Sequence, residues 1–244
     1  MQRTIIRAVL VGIVAGLIVG VYHNIFTVPI IERAIVLEEE RAAAALPAGA
    51  QAEEEAPLVS LGAQRVGMAI GMGILGAVFG LVFAGTYGLL RWALPNLNTV
   101  AMALVAGLLG FWALSFLVSV KFPFMPPGVG SESSLVFRQG FQLLFYIMSA
   151  LGVAGVILAL NEINNSVQSP AARQRLYGLA VLVYGAFLLF IFWLVPGNPD
   201  SVPVPADLFL QFNNVSLIGH LLTWGLMAAG FAYLLKRDQL ASQG

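Results

Sequence analysis

The sequence predicts an all-α, polytopic integral membrane protein with six transmembrane helices, and three observations carry that prediction. Of 244 residues, 59% are hydrophobic and only 10% charged, a balance outside that of soluble domains and inside that of chains that live in lipid. The apolar residues gather into six runs, each near the length of about 20 residues that a helix needs to cross a bilayer. The basic residues concentrate in the segments that six crossings place on one side. The chain reads as a single membrane domain over residues 1–244.

The first run extends from Ala8 to Ile30 behind Arg3 and Arg7. It exceeds a signal-peptide core and lacks a nearby small-residue cleavage site, so an uncleaved span is expected. Gly12, Gly16 and Gly20 recur every fourth residue, giving one face smooth enough for close helix approach. Asn24 continues the spacing and His23 lies beside it.

Residues 32–65 read as an acidic outer loop, with Glu38, Glu39, Glu40, Glu53, Glu54 and Glu55 and a break at Leu46-Pro47-Ala48-Gly49. Its first part is expected to continue the first helix beyond the membrane. The second span is Val66 to Leu90. It contains Gly71-Met72-Gly73-Ile74-Leu75-Gly76, a formal match to the dinucleotide fingerprint. No strand precedes it and the run is lipid-length, so helix packing is the expected role.

The third span, Val100 to Val120, enters the chain's densest mixture of charge, proline and aromatic residues, Ser119 to Gln142. The fourth, Gly140 to Leu160, ends in Asn161-Glu162-Ile163-Asn164-Asn165. The fifth is Leu176 to Val195, and a second proline-rich loop, Pro196 to Pro205, leads to the sixth, Leu208 to Leu235. The odd-numbered spans all run outward into proline-containing segments, which suggests three helical hairpins. Six spans put both termini on one side. That side holds Arg3, Arg7, Arg91, Arg173, Arg175, Lys236 and Arg237, and every acid except Glu162 and Asp238 falls opposite. The positive-inside rule makes the terminal side cytoplasmic and the chain a multi-pass protein of the cell's inner (plasma) membrane.

Asn213, Ser216, His220 and Thr223 are spaced 3, 4 and 3 apart and share one helical stripe, which should face protein or water. At about 1.5 Å per residue His220 stands roughly 20 Å from Asp207, near mid-membrane in a core of about 30 Å. Arg138, Gln142, Tyr146 and Ser149 share a face of the fourth span, and Ser115 and Ser119 one of the third. These faces predict a polar cleft among spans one, three, four and six, lined by His23, Asn24, Gln142, Asn213, Ser216 and His220 beneath the Lys121 loop. The fifth span should be mostly lipid-facing.

Each group has a plainer reading: Gln142, Asn213 and Ser216 as interhelical glue, His220 as a satisfied neutral imidazole, Lys121 and Arg138 as interfacial anchors. A transition-metal set would draw on His23, His220, the Met125 thioether and a carboxylate such as Glu32 or Glu132. With no cysteine in the chain, thiolate ligands and disulfides are excluded. Zero net charge gives no support for a nucleic-acid partner. No nucleophile with an adjacent base, P-loop or H-E-x-x-H helix is present, so the chain is not expected to be an enzyme or to hold a cofactor.

Gln64-Arg65-Val66-Gly67, then Lys121-Phe122-Pro123-x-x-Pro126-Pro127-x-Val129-Gly130, then Phe212-x-x-x-Ser216-Leu217 resemble the CbtA family, proposed membrane subunits of cobalt transporters. Pro29, Ile31 and Glu38 are similar to the family's pattern too. The chain departs from that pattern at Val28, Met125 and Asn213, where the family commonly has an acid, an Asn and an Arg. The resemblance implies cobalt as substrate, a loop or gate built on Lys121, Pro123, Pro126, Pro127, Gly130 and Arg138, and a small histidine-rich membrane partner, CbtB. A non-transporting membrane scaffold that packs its Gly-rich faces on partner helices is the alternative.

Overall fold

The computed structural model describes residues 2–44, 60–126, 132–200 and 204–241. These residues form helices without a strand: α1 (Gln2–Phe26), α2 (Val28–Ala44), α3 (Leu61–Ala93), α4 (Thr99–Phe111), a π-helical turn (Trp112–Phe116), α5 (Leu117–Lys121), a 3-10 turn (Glu132–Ser134), α6 (Leu135–Ser166), α7 (Pro170–Leu194) and α8 (Ala206–Ala241). Six are long and apolar enough to cross a membrane: α1, α3, the α4–α5 run, α6, α7 and α8. The helices overrun the apolar runs at most ends, because a helix that leaves the hydrocarbon keeps its backbone bonds while its side chains turn polar.

The first span stops earlier than expected. Its helix breaks at Thr27 and α2 starts afresh, so the continuous run to Ile30 and beyond is corrected. Pro29 has no N–H to give to the preceding turn and its ring crowds that turn, a combination tolerated only near a helix start. The Thr27 carbonyl instead receives the amides of Ile30 and Ile31, each at 3.1 Å. Glu32 and Glu38–Glu40 of the expected acidic loop stand on α2, and the remainder of that loop, 45–59, lies outside the described residues.

Lipid tails are as apolar as leucine, so these helices associate through close packing rather than through expulsion of water. The α1–α3 interface is the most extensive in the molecule. A methyl group at Gly12 would overlap the Gly76 carbonyl, one at Gly16 the Met72 carbonyl, and one at Gly20 would sit 2.7 Å from the Ala69 Cα. Rising numbers on α1 meet falling numbers on α3, so the pair is antiparallel. Gly73 and Gly76 of the dinucleotide-like stretch face α1, and a methyl group at Gly71 would meet nothing. The stretch is interior α-helix.

Around this pair, α4 packs on α8 and α8 on α1. Gly110 admits the Trp224 ring and Gly107 the Ala228 methyl group. Phe79, Phe83, Tyr87, Trp224 and Phe231 fill the centre, with Phe79 stacked on Trp224 at 5.0 Å. The α6–α7 pair flanks this core. Gly152 receives the Phe187 ring, and Ile191 is the one buried residue described on α7.

Arg7 pairs with Asp238 and Gln239 contacts Thr99, so both chain ends and the α3–α4 junction share one end of the bundle. The Thr27 break and the proline loops occupy the other.

Candidate functional site

The π-helical turn organises the site. Leu117 N–H bonds the Trp112 carbonyl five residues back, and the extra residue rotates the downstream side chains by about 100° relative to an uninterrupted helix. Ser115 is buried within this turn. Trp224 Nε1 donates to Ser115 Oγ at 3.0 Å, and His220 Nδ1 lies 3.0 Å from the same oxygen. Ser119, expected to share a face with Ser115, bonds the Phe116 carbonyl of its own helix at 2.8 Å.

Indole is a donor only. Ser115 Oγ therefore retains one lone pair and one proton for His220. Accepting Nδ1–H leaves a lone pair on His220 Nε2, whereas donating to Nδ1 puts the ring proton on Nε2. The contact can thus present either a cation ligand or a proton donor at Nε2.

Two aromatic rings flank this imidazole. Phe124 of the proline loop stacks on His220 with centroids 5.0 Å apart and planes inclined by 19°, and Phe79 stands 6.0 Å away. Asn213 holds Phe124 by its backbone at both polar atoms. Its Oδ1 accepts Phe124 N–H at 2.9 Å and its Nδ2 donates to the Phe124 carbonyl at 2.7 Å. Asn213 and His220, two turns apart on α8, position the cap and carry the group beneath it.

His23 is buried at the end of α1, with Nδ1 2.7 Å from Thr27 Oγ1. Its ring lies over Gly219, where a methyl group would stand 2.5 Å from Nε2. Residues 219 and 220 point about 100° apart, so the two imidazoles meet α8 on neighbouring flanks. Ser216 is buried one turn before His220.

The other expected site residues are spread around this centre. Gln142 stands on α6, which packs mainly on α3, α5, α7 and the π turn. Met125 Sδ receives Asn198 Nδ2 at 3.2 Å, and Glu32 pairs with Arg65 at 3.0 Å. Pro123 and Pro126 flank Phe124 and Met125 in the loop. Pro127, Gly130 and the Glu132 side chain lie outside the described residues. Among the described residues no three His, Asp or Glu side chains converge.

The cations of the loop have defined partners. Lys121 Nζ donates to the Phe192 carbonyl at 2.7 Å, in the last turn of α7 where carbonyls lack helical partners. Arg138 Nε stands 3.1 Å from Asp200 Oδ2, with only 19% and 14% of the two side chains exposed, and Ser134 Oγ donates to that oxygen at 2.5 Å. The Met125–Asn198 contact links the two proline loops, and Arg138 and Ser134 hold the second of them to the start of α6. Sequence reasoning left Thr27, Phe124, Trp224, Asn198 and Asp200 out of the site. The i, i+4 spacing of His23 and Thr27 was the one local signal for any of them.

A family model described as a probable cobalt transporter subunit, CbtA, matches residues 1–236. Neither the curated proteins nor the solved structures contain a match to the chain. The match spans all six membrane-length helices and the loop with the Lys121 and double-proline pattern, and on that evidence the chain belongs to the CbtA family of probable cobalt transporter subunits.

Proposed function

We propose that this membrane subunit carries divalent cobalt through the space between α1, the π turn and α8, with His220 Nε2 as the ligand along the path. The observation that supports this reading is the hydrogen-bonded imidazole enclosed among membrane-length helices and capped by Phe124. An ionisable side chain at such depth is costly to keep and is characteristic of an ion pathway. Weak, sequential contacts suit passage better than a closed shell, since an ion that binds tightly does not leave. His23 with Thr27 is a second contact on the adjoining flank of α8. Displacing the Phe124 cap would expose His220 to the proline-loop face, and acids such as Glu38–Glu40 would concentrate cations there.

In this reading the basic end, with both termini, faces the cytoplasm, and the chain sits in the inner membrane. A small histidine-rich membrane protein of the CbtB kind is the proposed partner, supplying imidazoles that complete the cobalt shell. A scaffold role is the second reading. It is favoured by α7, whose one described buried residue leaves a long apolar face for a partner helix.

The test is uptake of cobalt, nickel and zinc into liposomes that hold the purified chain, with and without the small partner, against the His220→Ala variant. Saturable cobalt uptake that falls at least tenfold in the variant is the expected result. No uptake from either preparation, with the protein folded and inserted, would overturn the pathway and leave the scaffold reading.

A further inference from the structure

At the terminal end, away from the histidines, a pocket of about 500 Å³ opens between the α3–α4 junction and the α6–α7 junction. One wall is the turn at 93–97 with Asn96, and the other carries Asn164, Asn165, Arg173 and Tyr177. Among the described residues lining it there is one cation and no carboxylate. Glu162, on the same helix, receives the Ser166 hydroxyl.

The side chains that line this pocket offer more donors than acceptors. Tyr177 donates its hydroxyl to Asn164 Oδ1, which leaves the Asn164 amide protons as donors. Asn165 donates its amide to Asn161 at 3.3 Å. Arg173 gives one donor to the Val167 carbonyl at 2.8 Å, which fixes the guanidinium at the pocket wall.

We propose that this pocket binds a phosphoryl group, with Arg173 supplying charge and the Asn164 and Asn96 amides supplying further hydrogen bonds. A guanidinium held in place beside neutral amide donors matches the tetrahedral, multiply accepting phosphate oxygens. The phosphoryl group belongs either to an anionic lipid headgroup or to a free phosphate. The site is separate from the cobalt path and does not depend on it.

Purified full-length chain, stripped of lipid, is titrated with phosphatidylglycerol, with phosphatidylcholine and with inorganic phosphate, and binding is read by native mass spectrometry and thermal shift. The variants are Arg173→Gln, Asn96→Ala and Arg175→Gln, the last removing an exposed charge outside the pocket. Arg173→Gln is expected to weaken binding at least tenfold, as loss of a charged hydrogen bond of about 1.5–3 kcal/mol implies. Asn96→Ala lies in a turn and touches no helix packing, so it keeps the test valid if Arg173→Gln unfolds. It is expected to weaken binding about fivefold, the loss of one neutral hydrogen bond. Arg175→Gln is expected to leave binding unchanged. Binding of phosphatidylglycerol alone identifies a headgroup site, and binding of inorganic phosphate identifies a soluble ligand. Absence of both, or equal losses in Arg173→Gln and Arg175→Gln, would overturn the proposal.

Discussion

Asn213 fixes the Phe124 backbone through both of its amide atoms, a geometry no other side chain of its size reproduces. Asn213→Ala removes both hydrogen bonds to Phe124 and a third to the Phe209 carbonyl, worth about 1 kcal/mol each, and releases the ring that covers His220. The expected outcome is a lower unfolding temperature together with faster thiol labelling of a cysteine placed at Ser216. The natural chain has no cysteine, so the labelling needs no background removal, and unchanged labelling would detach Phe124 from any capping role. Gly219 matters for the opposite reason, the lack of a side chain. The His23 ring occupies the space a methyl group would need, and Gly219→Ala would drive it away from Thr27. The stripe from Asn213 to Thr223 was legible from spacing alone. The partners of that stripe were not, because Trp224, Ser115 and Phe124 reach it from about 90 to 110 positions away or from the next residue on the helix.

Among the elements, α1 and α3 illustrate how glycine position determines cost. Gly12 and Gly76 stand backbone to backbone, and Gly71 faces open space on the same helix as Gly76. Gly12→Ala and Gly76→Ala should each destabilise the protein by about 1–3 kcal/mol, the usual penalty for overpacking. Gly71→Ala should be neutral or stabilise by up to about 1 kcal/mol through helix propensity. Thermal unfolding in detergent compares the three, and equal effects would mean that the α1–α3 seam does not hold the fold. The every-fourth-residue glycine pattern announced a close helix contact on α1, and the structure supplies α3 as its partner. The π turn had no such announcement, since its five residues, Trp112 to Phe116, are ordinary helix formers in lipid. Local preference sets helix against strand but does not count hydrogen bonds, and the i+5 bond at Leu117 is retained by what Ser115 gains from Trp224 and His220. The break at Thr27 lies between these cases: Pro29 marked it, yet the apolar run continued past it.

For the whole molecule, the second proline loop is held to the first by Asn198–Met125 and to the start of α6 by Arg138–Asp200 and Ser134–Asp200. Arg138→Asp would set two carboxylates together in a mostly buried site and should cost roughly 3–5 kcal/mol, the penalty for breaking a buried pair. Asp200→Arg in addition should restore much of that loss. Failure of the double variant to recover stability or cobalt uptake would show that the loops are held by other contacts.

Sequence by itself determined that this protein is a bundle of six membrane-length helices, that both termini share one end, that the first span carries a small-residue face fit for close helix approach, and which family it belongs to. These properties come from composition and short-range periodicity, which the bilayer converts directly into structure because a backbone in lipid must satisfy its own hydrogen bonds. Only the tertiary structure decided that His220 belongs with Ser115, Trp224 and Phe124 and that Asp200 pairs with Arg138. Those are contacts between segments far apart in the chain. They depend on the crossing of α8 with the π turn and on two loops meeting, and no local rule relates residues whose separation is set by packing alone.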